Sequence, residues 1–132
     1  MSKIVKRIKK TFKNPRNVLI VGTGFGFLNE LCDHFANVFI ISTLSDPIRR
    51  KNLIYKEDFE GIEFVPDLDV IFIDKNQECN VEKLRPILAR YHPVLFVEGD
   101  ELFGRSEYKF LKGYNFSVVE RFGIYHIWKY DK

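Results

Sequence analysis

Short continuous apolar runs, rich in β-branched and aromatic residues, recur along the 132-residue chain at Val18 to Val21, Val38 to Ile41, Ile62 to Val65, Val70 to Ile73 and Val94 to Val97. Runs of this kind predict strands covered on both faces, as in a parallel sheet. Between the first two, Phe27, Leu28, Leu31, Cys32 and Phe35 fall on one face of a helix, completing a βαβ unit. Asp46 to Leu53 predicts a short helix, with Asp46 as N-cap and Pro47 at the first helical position. Asn80 to Tyr91 carries a helical pattern in Val81, Leu84, Leu88 and Tyr91, which Pro86 must kink or restart. Ser106 to Leu111, bounded by Gly104 and Gly113, predicts a last crossover helix. In the tail, Phe116 to Glu120 and Ile124 to Tyr130 flank Arg121-Phe122-Gly123, a hairpin signal that makes the final strand antiparallel.

Ahead of the first strand the pattern changes. Ile4, Val5, Ile8 and Phe12 recur at helical spacing up to Asn14-Pro15, so residues 1–16 predict a basic amphipathic helix ahead of an α/β domain over 17–132. Lys3, Lys6, Arg7, Lys9, Lys10, Lys13 and Arg16 give this arm a charge of +7, with no acid before Glu30. The rest holds 14 basic and 18 acidic residues, so the overall +3 conceals an arm of one sign. Such a helix can bind nucleic acid or an anionic surface. The simpler reading is that its apolar stripe packs on the sheet while the lysines stay solvated.

Composition narrows the class. Hydrophobic content of 45% with 30% charged residues describes a globular chain, and 132 residues suffice for one domain. No apolar run approaches the roughly 20 residues of a transmembrane segment, and the N-terminus lacks a signal-peptide core, so a cytoplasmic protein is expected. Cys32 and Cys79 lie far apart and read as reduced buried thiols. His34, His92 and His126 form no ligand pattern, so no metal site is expected.

The candidate chemistry begins where the first strand ends. Asn17 to Phe27 reads Asn-Val-Leu-Ile-Val-Gly-Thr-Gly-Phe-Gly-Phe: a buried strand running into Gly22, Gly24 and Gly26. Glycines at such a turn let the backbone approach a ligand that any Cβ would block, and a following helix offers N–H groups at its start. A dinucleotide fingerprint is G-x-G-x-x-G, whereas here the third glycine comes one residue early and Phe27 stands in its place. An NAD(P)-binding domain is therefore the weaker reading, the more so because no acid ends the second strand.

The Gly22-Thr23-Gly24-Phe25-Gly26 loop, Leu68-Asp69-Val70-Ile71-Phe72-Ile73-Asp74 at the fourth strand and the closing hairpin together resemble class I S-adenosylmethionine (SAM) dependent methyltransferases. The resemblance covers about Asn17 to Tyr130. It implies a single three-layer Rossmann-like α/β domain, its mostly parallel sheet in the order 3-2-1-4-5-7-6, with an antiparallel C-terminal hairpin. It further implies SAM as cofactor, bound by Gly22, Thr23, Gly24, Phe25 and Gly26, with Ser42 and Asp46 beyond the second strand. Asp67 is the residue it offers for the adenine amino group, which family members read from the loop after the third strand. Asp74 occupies the position of the family's motif IV residue, the candidate for catalysis. Glu98 and Asp100 after the fifth strand, and Arg121 and Tyr125 at the hairpin tip, are candidate substrate contacts.

The chain departs from the family at defined places. Ile20 stands where an acid two residues before the first glycine is usual, and Ser42 stands where an acid customarily takes the ribose hydroxyls. Only about 26 residues separate Ser42 from Asp69, so a crossover helix is expected to be missing or reduced to a loop. With no cap domain, the methyl acceptor must be held by short rims or by a second subunit of a homo-oligomer. A non-catalytic member of the fold, serving binding or assembly, is the principal alternative.

Overall fold

The computed structural model describes residues 3–14, 16–21, 28–41, 50–56, 58–59, 61–62, 65, 67–73, 81–98 and 105–131. Seven strands, β1 (Asn17–Val21), β2 (Asn37–Ile41), β3 (Leu53–Lys56), β4 (Leu68–Ile73), β5 (Val94–Glu98), β6 (Phe116–Phe122) and β7 (Tyr125–Tyr130), form one sheet. Their order is β3-β2-β1-β4-β5-β7-β6. The first five are parallel; β7 runs antiparallel to β5 and to β6. The helices are α1 (Lys3–Thr11), α2 (Leu28–His34), α3 (Arg85–Arg90) and α4 (Arg105–Gly113). The expected α/β class, strand order and antiparallel hairpin are what the chain adopts.

All five residues of β1 are buried. Because side chains alternate across a strand, Val18 and Ile20 enter one core and Leu19 and Val21 the other. The first core is closed by Ile4, Val5 and Ile8 of α1 and by Leu28, Leu31 and Cys32 of α2. The second is closed by Ile87 and Leu88 of α3, by Leu111 of α4 and by Ile62. Two helical layers thus enclose the sheet, and α1 is part of that enclosure. Its apolar stripe packs on the sheet as the simpler reading expected, while Lys3, Lys6, Lys9 and Lys10 stay exposed. Arg7, partly buried on the same helix, pairs with Glu120 of β6.

Pro86 restarts a helix, as its position predicts. A 3₁₀ turn over Val81–Leu84 gives way to α3 with proline in its first turn, where the missing N–H costs nothing. The hairpin closes through Gly123-Ile124, with Phe122 paired to Tyr125. Gly123 has φ +61° at the first loop position, where a type II′ turn needs glycine.

Two local expectations are corrected. Leu53 opens β3 and cannot end a helix begun at Asp46; residues 46–49 of that predicted helix lie outside the described residues. The third strand is Leu53–Lys56, and Ile62 to Val65 does not supply it. Ile62 instead sits in a turn, its N–H donating to the Phe59 carbonyl at 3.1 Å and its own carbonyl accepting from Val65 N–H at 2.9 Å. Ile62 is fully buried all the same. An apolar run records burial, which a plug beneath a sheet satisfies as well as a strand within it. Among the described residues the connection from β3 to β4 contains no α-helix, and Ile62 lies in a 3₁₀ turn, in keeping with the short interval available.

The amino edge of the sheet is tied by polar groups. Asp69 Oδ2 accepts the Arg16 N–H at 2.7 Å, Arg16 O accepts the Asn37 N–H at 3.0 Å, and the Asn37 amide donates to Asn17 Oδ1 at 3.1 Å. Burial raises the Asp69 carboxyl above its ordinary value of 3.8, opposed by the N–H donors of Arg16 and Asn17.

Ile8→Ala removes a fully buried side chain that joins α1 to the sheet. It is expected to lower stability by about 2–4 kcal/mol, measured as a reduced urea midpoint; an unchanged midpoint would show that α1 is not integral to the fold. Asp69 supplies a second test. A carboxyl whose folded pKa is raised favours the fold when protonated, a contribution present below the ordinary carboxyl range and lost as pH climbs through the raised value. Asp69→Asn abolishes this titration, so its stability relative to the parent chain should improve as pH rises through the ordinary carboxyl range and past it, as read by denaturation at a series of pH values.

Candidate functional site

Strand register creates a row of residues across the carboxyl end of the sheet. Lys56 pairs with Ile41, Ile41 with Val21, Val21 with Ile73, and Ile73 with Val97. Val97 then pairs with His126, and His126 with Arg121. Four of the sequence candidates follow members of this row immediately in the chain: Gly22 after Val21, Ser42 after Ile41, Asp74 after Ile73 and Glu98 after Val97. Within the row β1 precedes α2 in the chain and lies beside β2, while its other neighbour β4 belongs to the second half of the sheet. Strand order reverses between these two strands, and open α/β sheets bind ligands outside the carboxyl ends at such a point.

Gly22, Thr23, Gly24, Phe25, Gly26, Ser42, Asp46, Asp74 and Asp100 lie outside the described residues. The structure does describe what holds their flanks. Val21 is buried at the end of β1, and Leu28 is buried at the start of α2. Ile73 is buried at the end of β4. Ile20, where the resemblance expects an acid, is fully buried in the core shared with α1 and α2. An ionised carboxylate at that depth would need a partner to offset its desolvation.

Glu98 and Tyr125 are brought together, as directly paired residues of β5 and β7. Tyr125 is buried, its ring edge-on to Phe72 at 5.9 Å and to Phe96 at 6.3 Å. Phe72 and Phe96 stack at 5.0 Å between centroids. Three adjacent strands thus lay an aromatic floor beneath the rim. Above it, between the start of α1 and the hairpin tip, opens a cleft of about 450 Å³ lined by Lys3, Ile4, Phe122, Gly123, Ile124 and Tyr125. Lys3 and Ile4 were not among the residues expected at the rim. Only the packing of α1 across this face, with its first turn toward the hairpin, puts them there. Arg121 is exposed on β6 and does not line the cleft.

Asp67 is on the wrong end of the sheet for the role expected of it. It immediately precedes Leu68, the first residue of β4, which pairs with Asn17 at the start of β1. A six-residue strand spans about 17 Å, so Asp67 is a strand length from the rim. It adopts φ 51°, a left-handed conformation that aspartate tolerates in turns. The displacement follows from the misassigned third strand. With β3 at Leu53–Lys56, the loop leaving its carboxyl end begins at residue 57, and Asp58 is the described, exposed acid there. The signal for it was the apolar residue pair Leu53-Ile54 followed by Tyr55, a short β-prone segment ahead of Glu57-Asp58.

Cys32 is buried, and burial pushes its thiol up, with nearby Arg50 opposing; it is a packing residue on the buried face of α2. Arg50 pairs with Asp33, and the Asn52 amide donates to the carbonyls of Cys32 at 2.6 Å and Phe35 at 3.0 Å, capping the end of α2. Among the described residues no group of His, Cys, Asp and Glu could hold a metal ion, and no helix is long and apolar enough to cross a membrane.

No protein-family model matches the sequence, and no curated protein matches it significantly. Among solved structures, a methyltransferase from Geobacter sulfurreducens superposes with a TM-score of 0.66 at 14% identity, over 97% of this chain and 76% of that one. At that identity the likeness is one of fold. The chain therefore has a methyltransferase-like α/β fold, with an aromatic floor under its carboxyl rim.

Proposed function

We propose that the chain binds SAM at the loop over residues 22–27 and transfers its methyl group to an acceptor seated against the hairpin tip. The observation that carries this reading is the laterally paired row at the carboxyl end of the sheet. It supports a site in which the glycine loop, Ser42, Asp74 and Glu98 converge on the point where strand order reverses. A rim supplying glycine backbone, a hydroxyl and carboxylates suits a ligand with a ribose, an ammonium and a sulfonium, since charge-assisted hydrogen bonds to cations are strong.

In this reading Gly22, Gly24 and Gly26 allow close approach to the cofactor, with Thr23 and Phe25 between them. Ser42 and Asp46 serve the ribose, and Asp58 takes over from Asp67 as the acid facing the adenine amino group. Asp74 contacts the methionine portion or orients the acceptor. SAM supplies a methyl group already activated on sulfur, so the protein's task is positioning. Holding donor and acceptor in line removes much of the barrier without a dedicated base. The cleft above Tyr125, with its apolar lining and the aromatic floor below, suits an acceptor with an apolar body, oriented by Glu98 and Asp100.

A second reading is favoured by one observation: fully buried Ile20 in place of an acid, together with Ser42 at the ribose position. On this alternative the fold is retained for binding or assembly without turnover.

Calorimetric titration with SAM, S-adenosylhomocysteine and NAD separates these readings. Micromolar SAM binding, lost in Gly24→Val, is expected. Asp58→Ala should weaken it about tenfold, the size of one hydrogen bond to a charged group, whereas Asp67→Ala should leave it unchanged. Absence of heat with all three compounds would establish the non-catalytic reading, and heat with NAD alone would establish a nicotinamide-cofactor domain.

A further inference from the structure

The opposite end of the sheet carries a second concave surface, independent of the cofactor proposal. A cleft of about 490 Å³ opens between the end of α1 and the end of α2, lined by Lys9, Lys13, Asn14 and Arg16 on one side and Asp33 and His34 on the other. We propose that this cleft binds the phosphodiester backbone of a nucleic acid.

The charge balance of the cleft favours an anion. Asp33 is the carboxylate among these lining residues, and it is paired with Arg50. Arg7, farther along α1, is paired with Glu120. Lys9, Lys13 and Arg16 are exposed, and among the described residues none of them is in an ion pair. The nearby Asp69 is engaged by the backbone N–H of Arg16 and sits half-buried beneath it. Solvation alone accounts for lysines spread along a helix. It does not account for three cations, an amide and an imidazole converging on one concavity whose nearby acids, Asp33 and Asp69, are already engaged by Arg50 and by the Arg16 backbone. Phosphates relieve that repulsion, and amide and imidazole N–H groups add hydrogen bonds of the kind that fix register on a backbone.

A membrane is the poorer partner for this surface. Insertion of an amphipathic helix requires a free apolar face, and that of α1 is committed, with Ile4, Val5 and Ile8 packed in the core. A flat bilayer also meets the rim of a concave cleft, whereas a projecting phosphate ridge enters it. The location adds a further point. The five residues of β1 set the cleft about 15 Å from the carboxyl end of that strand, so a polynucleotide held here leaves the carboxyl rim open.

The test is fluorescence anisotropy of the full chain with labelled single-stranded and duplex 20-mers at two salt concentrations, alongside sedimentation with phosphatidylserine vesicles. The triple variant K9A/K13A/R16A should bind the oligonucleotide that the parent prefers at least about tenfold more weakly, with a salt slope shallower by about 2. The charge-matched control K83A/K109A/K129A should lose less than about threefold. Lys13→Glu, beyond the end of α1 and away from the core, should reproduce most of the loss and guards against misfolding of the triple variant. The proposal is overturned if the parent binds neither oligonucleotide, if control and cleft variants weaken equally, or if vesicles bind while oligonucleotides do not.

Discussion

Burial of β1 on both faces is the constraint from which the rest of the structure follows. A strand with five consecutive buried residues has no solvent side, so its sheet must be covered above and below. Parallel neighbours require crossovers, and crossovers deliver the covering layers. In this chain α2 is the only crossover described on the first face, and it is short. The basic N-terminal segment makes up the difference, contributing α1 as the second helix of that layer. On the other face the role is shared by α3, α4 and the Ile62 turn. Each element is modest in length, and together they close the two faces of the sheet.

The same parallel arrangement gives the molecule two chemically distinct ends. At the carboxyl rim five strand ends are aligned by register, and the chain leaves them through glycine, hydroxyl and carboxylate residues. At the amino edge Asp69, Asn17, Asn37 and the backbone of Arg16 knit the entry to β1, and the cations at and just beyond the end of α1 collect beside α2. That α1 crosses from one end to the other explains how one nine-residue helix serves both. Its first turn borders the cleft at the hairpin tip, and the chain just beyond its last turn borders the basic cleft.

Much of this architecture was legible in the sequence because burial and turn chemistry are local signals. Val18 to Val21 and Val70 to Ile73 could scarcely be solvent-exposed, Pro86 marked a helix restart, and Gly123 marked a turn between two β-prone segments. The failure at Ile62 to Val65 shows the limit of the same signal. Hydrophobicity reports that a residue is covered, and it is silent on whether the backbone there is paired. Leu53 to Lys56 was overlooked for the converse reason: an edge strand with one partner needs only Leu53 firmly buried, so its apolar pattern is thin. The mistaken strand carried Asp67 to the wrong end of the sheet, since a residue's place at rim or edge depends on which strand it follows.

The sequence by itself determined the α/β class, the strand and hairpin inventory near the centre and tail, and the single sign of the N-terminal charge. These follow from periodicity, backbone stereochemistry and composition, which act over a few residues. Only the tertiary structure decided that α1 belongs to the core, that Lys3 and Ile4 stand beside Tyr125, that Asp58 rather than Asp67 leaves the third strand at the rim, and that Lys9, Lys13 and Arg16 share a cleft with His34. Each of these is a contact between segments distant in the chain, set by the way two faces of one sheet had to be closed.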